Sequence, residues 1–519
     1  EEVLGIDKVS VKDNFFDLGG DSIKAIRIVS KARESGYEVT IKEVMQESVI
    51  ESIAKSCKEL EGVHYEQGEI TGTIISTPII KSFQKWKLEN PAHYNQSIML
   101  RMEEKIKEED LKKVLNALVE HHDILRAVYY DEKLEILSME MSRLYDYEVI
   151  DVGQGYVEEQ VEAECTRIQG SIDLKNGPLM KVALFHVLEE YYLLIVIHHL
   201  VVDGVSWRIL TEDFYTGLSQ AKEGKLITLP LKTASFKEWS EALEDYKQSI
   251  ILKAERIFWE KALLNVNKGR LEEDVCSEKS GYGTINIGFS LSETKKLTQD
   301  SRRAFTTEIN DLLLSALGMA AHQVMRQKEL PIILEGHGRE EIHKRINIDR
   351  TVGWFTSIYP IVLSCMDNIE DSIVSTKDKL RGIPNHGMGY GLLKDELPEV
   401  QADIYFNYLG EIDTEIKGDP IPYSCGMNIA AENKMNGIIN FNGCIIQGQL
   451  NFLMSYDRSK MSDDKMEHLA SAYKSYLNRI VNYCAKYKKT KKTASDYTAK
   501  NLSLDDINNI NLLFGNMNT

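Results

Sequence analysis

The chain has 519 residues, 43% of them hydrophobic and 27% charged, with only 10 prolines, a composition that fits folded domains and excludes disordered and collagen-like classes. That length exceeds what one ordinary domain needs, so a small and a large unit are expected. With 80 acidic against 62 basic residues the net charge is −18, which repels phosphate backbones and anionic lipid; neither nucleic acid nor a membrane is an expected partner.

Residues 1–62 show helical periodicity through Ile23, Ile26, Val29 and Ala32, and again through Val44, Ile50, Ile53 and Ala54. The string Asp13-Asn14-Phe15-Phe16-Asp17-Leu18-Gly19-Gly20-Asp21-Ser22 reads as a loop ending where a helix begins. Gly19 and Gly20 permit tight turns, Asp21 can cap, and Ser22 sits where unpaired N–H groups and the helix dipole favour an anion. On these residues alone Ser22 reads as an ordinary capping serine. A polar, glycine-containing stretch follows, and residues 63–70 read as a linker.

Beyond it, helix and strand patterns mix over residues 71–485. Leu111, Val114, Leu115, Leu118 and Val119 mark an amphipathic helix, while Tyr191 to Ile197, Ile332 to Leu334 and Ile404 to Phe406 read as buried strands. The fold class expected is multidomain, a small helical unit followed by an α/β layered body. The chain turns basic at Lys486 to Lys492, and residues 486–519 read as a polar tail with one amphipathic segment around Leu502 to Leu513. The seven cysteines, Cys57, Cys165, Cys276, Cys365, Cys425, Cys444 and Cys484, form no CxxC pair, so no disulfide framework is expected. With Glu1 inside an expected helix and no export signal behind it, the chain reads as a cytoplasmic fragment.

Three strings carry chemistry. His198-His199-Leu200-Val201-Val202-Asp203-Gly204-Val205-Ser206-Trp207 follows a buried strand, where a histidine can face a cleft and serve as acid or base. Asp203 could fix that loop or pair with a buried arginine, and no third strong ligand has the spacing for a metal. Leu334-Glu335-Gly336-His337-Gly338-Arg339-Glu340 also follows a strand, and its glycines let Glu335 look into a cavity, where a carboxylate is a plausible base or acid. Glu340 and Glu341 read as a solvated acidic loop. His121-His122-Asp123-Ile124-Leu125-Arg126 reads as helix-end packing with a buried ion pair.

The Asp13-to-Ser22 string closely resembles the carrier (thiolation) domains of nonribosomal peptide synthetases, whose motif places a modified serine after a Gly-Gly-Asp or Gly-Gly-His. The likeness implies a four-helix-bundle carrier over residues 1–62, with 4′-phosphopantetheine covalently on Ser22. The His198-to-Gly204 string is similar to the HHxxxDG signature of condensation and epimerization domains, which fold as two chloramphenicol-acetyltransferase-like lobes, here about 71–245 and 246–485. Glu335 to Glu340 resembles the EGHGRE motif of the epimerization branch. Arg350 to Pro360, Phe406 to Gly410 and Pro384 to Gly391 resemble its RTVGWFTxxYP, FNYLG and PxKGxGYG motifs, with His386 where lysine is usual, and Asn95-Gln96-Ser97 matches an early NQS stretch. Pro78 to Phe83 departs from the usual PIQxWF, and Thr493 to Tyr497 from TPSDF.

The resemblance implies a cofactor-independent epimerase that inverts Cα of an aminoacyl or peptidyl thioester, giving a D/L mixture for antibiotic-type peptides. His199 and Glu335 would be the two bases, with Tyr408 as a third catalytic candidate. His198, Asp203, Asn407 and Arg350 would support them, Arg350 paired with Asp203. Trp207 and Trp354 are expected in the core, and no metal is implied. The partners implied are an upstream adenylation domain, a phosphopantetheinyl transferase and a downstream condensation domain accepting D-residues. The alternative within the superfamily is amide formation by a condensation domain centred on His199.

Overall fold

The computed structural model describes residues 2–496, apart from 5, 7, 21, 60–64, 103–105, 154, 265, 267–269, 275–280, 343–345, 413–420 and 488–489. Cys276, part of the expected linker and most of the expected tail, with its amphipathic segment, lie outside the described residues.

The small unit holds α1 (Ser22–Glu34), α2 (Ile41–Glu47) and α3 (Ile50–Ser56), with a 3-10 turn at Glu2–Leu4. Of the four helices expected, the described residues contain these three and that turn. Thr40 starts α2 through a reciprocal cap: its hydroxyl accepts the Glu43 N–H at 3.1 Å and the Glu43 carboxylate accepts the Thr40 N–H at 2.8 Å. Phe15, Ala25, Val29, Val39, Val44 and Ile53 form a core separate from that of the rest of the chain. Burial of a large apolar side chain stabilises by roughly 1.5–3 kcal/mol, which lets so short a segment hold its own centre.

The large unit has two lobes. The first contains β1 (Asn95–Met102), β2 (Asp146–Val152), β3 (Met180–Val187) and β4 (Glu190–His198) in the order β1-β4-β3-β2, with α4 (Glu108–His121) packed on α5 (Gly204–Lys222). Every residue of β4 from Tyr192 to His198 is buried, because both faces of the strand are covered. A smaller sheet joins Gly72–Ile74, Lys133–Ile136 and Ala127–Tyr130. The second lobe contains β5 (Tyr282–Gly288), β6 (Glu329–Gly336), β7 (Ser357–Ser364), β8 (Ile404–Ile412), β9 (Ile439–Ile446) and β10 (Gln449–Asp457) in the order β5-β10-β9-β8-β6-β7. The helix α6 (Ile309–Met325) is apolar nearly all round, with Leu312, Leu313, Leu314, Ala316 and Leu317 buried, as a central helix must be.

Two register facts position the site. β1 and β4 run antiparallel with Asn95 opposite His198, so the start of one strand and the end of the other coincide. β6 and β8 run parallel with Leu334 beside Phe406, which brings Glu335, at the carboxyl end of β6, beside Asn407 in the first half of β8. Both lobes contribute to one continuous hydrophobic core. A segment of the second lobe also crosses onto the first: the Asn428 carbonyl accepts the Asn95 N–H at 2.8 Å and the Cys425 carbonyl accepts from Gln169 Nε2 at 2.7 Å. Among the described residues no helix is long and apolar enough to cross a membrane.

Candidate active site

The Gly19-Gly20 turn delivers the chain into α1 at Ser22. Gly19 adopts φ +85°, in the left-handed region, and a Cβ on Gly20 would meet the Phe15 ring at 2.4 Å, so both positions require glycine. The turn satisfies its own N–H groups, with Gly19 donating to the Phe16 carbonyl at 3.0 Å and Gly20 to the Phe15 carbonyl at 2.9 Å. The second lobe contacts the small unit at both ends of α1. Lys24 pairs with Glu411 at 2.7 Å and Arg33 with Asp349 at 2.8 Å. Arg302 is buried; its guanidinium lies 5.0 Å from the Phe16 ring centre and donates to the Phe16 carbonyl at 3.4 Å and to the Gly20 carbonyl. Glu411 is four residues beyond Asn407 on β8, at most about 13 Å along an extended strand, so a tether at Ser22 starts close to the strand ends.

His199 follows β4 directly. Its Nδ1 donates to the Val202 carbonyl at 2.8 Å, which leaves Nε2 as the acceptor, 2.9 Å from Gln96 Nε2. The ring stacks on Tyr94, with centres 5.6 Å apart and planes 17° from parallel, and lies 4.3 Å from Trp354. Burial pushes the imidazole below its ordinary range, so it rests neutral, with its basic nitrogen facing the Gln96 amide. His198 plays a different part: it is fully buried, Nε2 donates to the Pro91 carbonyl at 2.8 Å, Nδ1 accepts the Leu200 N–H at 3.2 Å, and burial pushes it down to about 3.

Glu335 sits at the end of β6 and accepts from Asn407 Nδ2 at 2.8 Å. Burial pushes its carboxyl up to about 7, and its charge in turn adds to the effect of burial in raising the Tyr94 phenol. Tyr94 thus stacks on one titratable group and feels the charge of the other. Tyr408 follows Asn407 on β8 and by strand alternation takes the opposite face, in line with Phe406, whose ring packs on Phe441 and Phe452.

Two expectations about ion pairs are corrected. The partner of Asp203 is Arg339, at 3.1 Å, not Arg350. Arg350 pairs with Asp213 and, at 3.1 Å, with Glu212. Asp213 stands ten residues beyond the Asp203 cap, about 15 Å along α5, so the loop carrying Arg350 meets the middle of that helix while Arg339 meets its start. Glu340 is not solvated: it is largely buried, 3.0 Å from His386 Nδ1 and 3.6 Å from His337 Nε2. Hydrogen bonding to Glu340 and its charge raise His386 to about 9, so this histidine carries the positive charge of the lysine usual there. In the His121-to-Arg126 string, Asp123 and Arg126 form a buried pair at 2.7 Å. His121 and His122 lie with Asp213 in a grouping of metal-ligand type, but Asp213 is already held by His122 at 2.9 Å and by Arg350.

Trp354 lies in the core as expected and Trp207 packs against it, and both also touch the site. Trp354 covers His199 and walls a cleft between the lobes, about 460 Å³ of space, also lined by Ser82, Trp239, Gly338, Thr356 and Ser357. Trp207 donates its indole N–H to Gln96 Oε1 at 2.8 Å. Sequence reasoning gave no role to Tyr94 or Gln96. Their signal was two polar-edged residues spaced by two at the start of an apolar strand, on the face that meets His199.

The condensation-domain family model matches residues 82–503 and the phosphopantetheine attachment site model matches residues 1–57. Gramicidin S synthase 1 of Brevibacillus brevis is 36% identical over 98% of this chain and 49% of its own length. Tyrocidine synthase 1 of Brevibacillus parabrevis is 36% identical over 99% of this chain and 50% of its own. The chain therefore spans about half the length of these two curated relatives. The crystal structure of the epimerization domain from the third module of tyrocidine synthetase B is 34% identical, with a TM-score of 0.77, and the match covers 81% of this chain and 100% of that one.

Proposed function

This chain belongs to the condensation-domain family of nonribosomal peptide synthetases, with a phosphopantetheine attachment domain ahead of the catalytic fold, and from that premise we propose that it epimerizes Cα of an aminoacyl or peptidyl thioester carried on Ser22. The observation that carries the reading is Glu335, a half-buried carboxyl from the second lobe, held near neutrality, whose charge is felt by the Tyr94 that stacks on His199 of the first. Inversion needs a proton removed from one face of Cα and returned to the other, which two groups on opposing lobes supply without moving. Amide formation needs no second titratable group of this kind.

Phosphopantetheine, when bound, supplies the tether and a thioester whose carbonyl acidifies the α-proton. His199 takes or gives a proton at Nε2, and Glu335 does so at its free carboxyl oxygen. The carboxyl of Glu335, poised at about 7, is found in either protonation state near neutral pH, while His199, lowered by burial, rests neutral and ready to take a proton. Asn407 holds Glu335 in place through its hydrogen bond, and Tyr94 and Trp354 hold the imidazole plane. We assign Tyr408 to supporting the strand end, Asp203 and Arg350 to joining the lobes, and His198 to fixing the loop. The D-configured product would pass to a condensation domain that accepts it, and the substrate would arrive from an adenylation domain after a phosphopantetheinyl transferase has modified Ser22. The residue ranges proposed are 1–62 for the carrier and 71–485 for the epimerization domain.

The test is to load the phosphopantetheinylated chain with an L-amino acid in deuterated water. Inversion with deuterium at Cα is expected. Loaded substrate that neither exchanges nor inverts, but joins to a second carrier-bound amine, would establish condensation instead.

A further inference from the structure

The imidazole of His199 ends a chain of hydrogen bonds with a single direction. Nδ1 lies 2.8 Å from the Val202 carbonyl oxygen, which only accepts, so the proton is on Nδ1 and Nε2 carries the lone pair. Facing that lone pair at 2.9 Å is the amide nitrogen of Gln96. The amide cannot turn round freely, because its oxygen accepts the Trp207 indole N–H at 2.8 Å, and an indole N–H only donates. The direction therefore runs from Trp207 through Gln96 and His199 to Val202. Gln96 is paired with Ile197 on β4, two residues before His199, so both ends of the contact ride on one rigid pair of strands.

This arrangement treats the two protonation states of the ring differently. Neutral, Nε2 accepts from Gln96 and the ring is held. Once protonated, Nε2 becomes a donor facing another donor, and Gln96 can offer its oxygen only by leaving the Trp207 N–H without a partner in a largely apolar site.

We propose that Gln96 is a positioning residue for His199, its carboxamide locked by Trp207 so that it faces the lone pair of the Nδ1–H tautomer and a proton gained at Nε2 is driven back onto the substrate carbon. This rests on the epimerization reading. In the forward step the Gln96 N–H withdraws from the lone pair, the Cα–H bond breaks with its electron pair left on the substrate, and the proton bonds to Nε2; the return step reverses both. The other titratable groups facing the ring are Asp203, engaged by Arg339, the buried His198, and the stacked Tyr94. None of them is altered by a change at Gln96.

The test is a ring titration of His199 by nitrogen NMR in the full holo chain labelled in histidine, with the signal assigned by its loss in His199→Ala. Gln96→Glu places an accepting carboxylate against Nε2, and the midpoint should rise by about one pH unit or more. Trp207→Phe keeps the carboxamide but frees it to turn, so a smaller rise in the same direction is expected. Gln96→Met, of similar length, removes the donor facing Nε2 while the Val202 carbonyl still holds the Nδ1 proton, so the tautomer should stay and the midpoint should rise, by less than in Gln96→Glu. Folding is checked by the thermal melt; if Gln96→Glu does not fold, the other two decide. An unchanged midpoint in the folded variants overturns the proposal. The ring titration uses no substrate, so shifted midpoints in a chain that fails the deuterium test would sink epimerization while leaving the role of Gln96 standing.

Discussion

Asp203 and Arg339 meet at 3.1 Å across the two lobes, with both side chains nearly fully buried. Asp203 caps α5 by accepting the Ser206 N–H at 2.7 Å, and it also accepts the Phe355 N–H of the second lobe at 3.1 Å. Arg339 completes the joint by donating to the Ile348 and Thr351 carbonyls at 2.9 and 2.8 Å and lying over the Phe355 ring at 3.9 Å. Together with the Arg350 pairs to Asp213 and Glu212, this pair joins the His199 loop to the second lobe. Removing one partner of such a pair strands a buried charge, so Asp203→Ala should destabilise by about 3–5 kcal/mol in chemical denaturation. Asp203→Ala with Arg339→Leu should cost less than the sum of the single changes, because no charge is then left alone. Additive losses would mean that the two residues act independently.

Ser22→Ala should abolish attachment of the phosphopantetheine arm and all turnover in cis, while leaving the melting of the large unit unchanged. The separate core of the small unit is the reason for the second expectation. Intact-mass measurement after incubation with a phosphopantetheinyl transferase reads the first part. A variant that still gains the arm would remove Ser22 from its proposed role.

His199→Ala and Glu335→Gln should each block inversion, because each deletes the proton carrier on one face of Cα. Loading L- and D-substrates separately in deuterated water separates the two roles. Each variant should exchange hydrogen, with retention, only in the isomer that its surviving base faces. Inversion by both variants at near wild-type rates would refute the two-base pair.

The raised Glu335 carboxyl has a stability signature. Its value of about 7 lies above the ordinary 4.5, so the folded state binds the proton more tightly than the unfolded state, and this group's favourable contribution fades as pH rises from about 4.5 through about 7. Glu335→Gln carries no such penalty. Its melting temperature relative to the wild type should therefore be higher at pH 8 than at pH 5, and a pH-independent difference would mean that the carboxyl is not held up by burial.

The pair of Glu340 and His386 gives the same pH direction from a different cause, an attractive partner rather than burial. His386 is raised to about 9, so the stabilisation it gives is fully present below about 6.5 and is lost as pH rises through 9. Glu340→Gln should lower the melting temperature more at pH 6 than at pH 10. His386→Lys, which keeps the charge at both values, should flatten the pH dependence.

Much of this protein is written locally. The glycines at 19 and 20 announce a turn that no other residue fits, and the unbroken apolar run of β4 announces a strand covered on both faces, because backbone sterics and burial act within a few residues of chain. The same holds for His199 and Glu335 as candidates, each a titratable group placed just where a buried strand ends. What only the tertiary structure decided are the pairings. Sequence spacing could not tell that Arg339 rather than Arg350 reaches Asp203, that Glu340 is buried against His386, or that Trp207 and Trp354 hold the site through Gln96 and the imidazole face. Those contacts join residues far apart in sequence, and their geometry is set by strand register and by the packing of one lobe on the other, neither of which leaves a periodic trace in the chain.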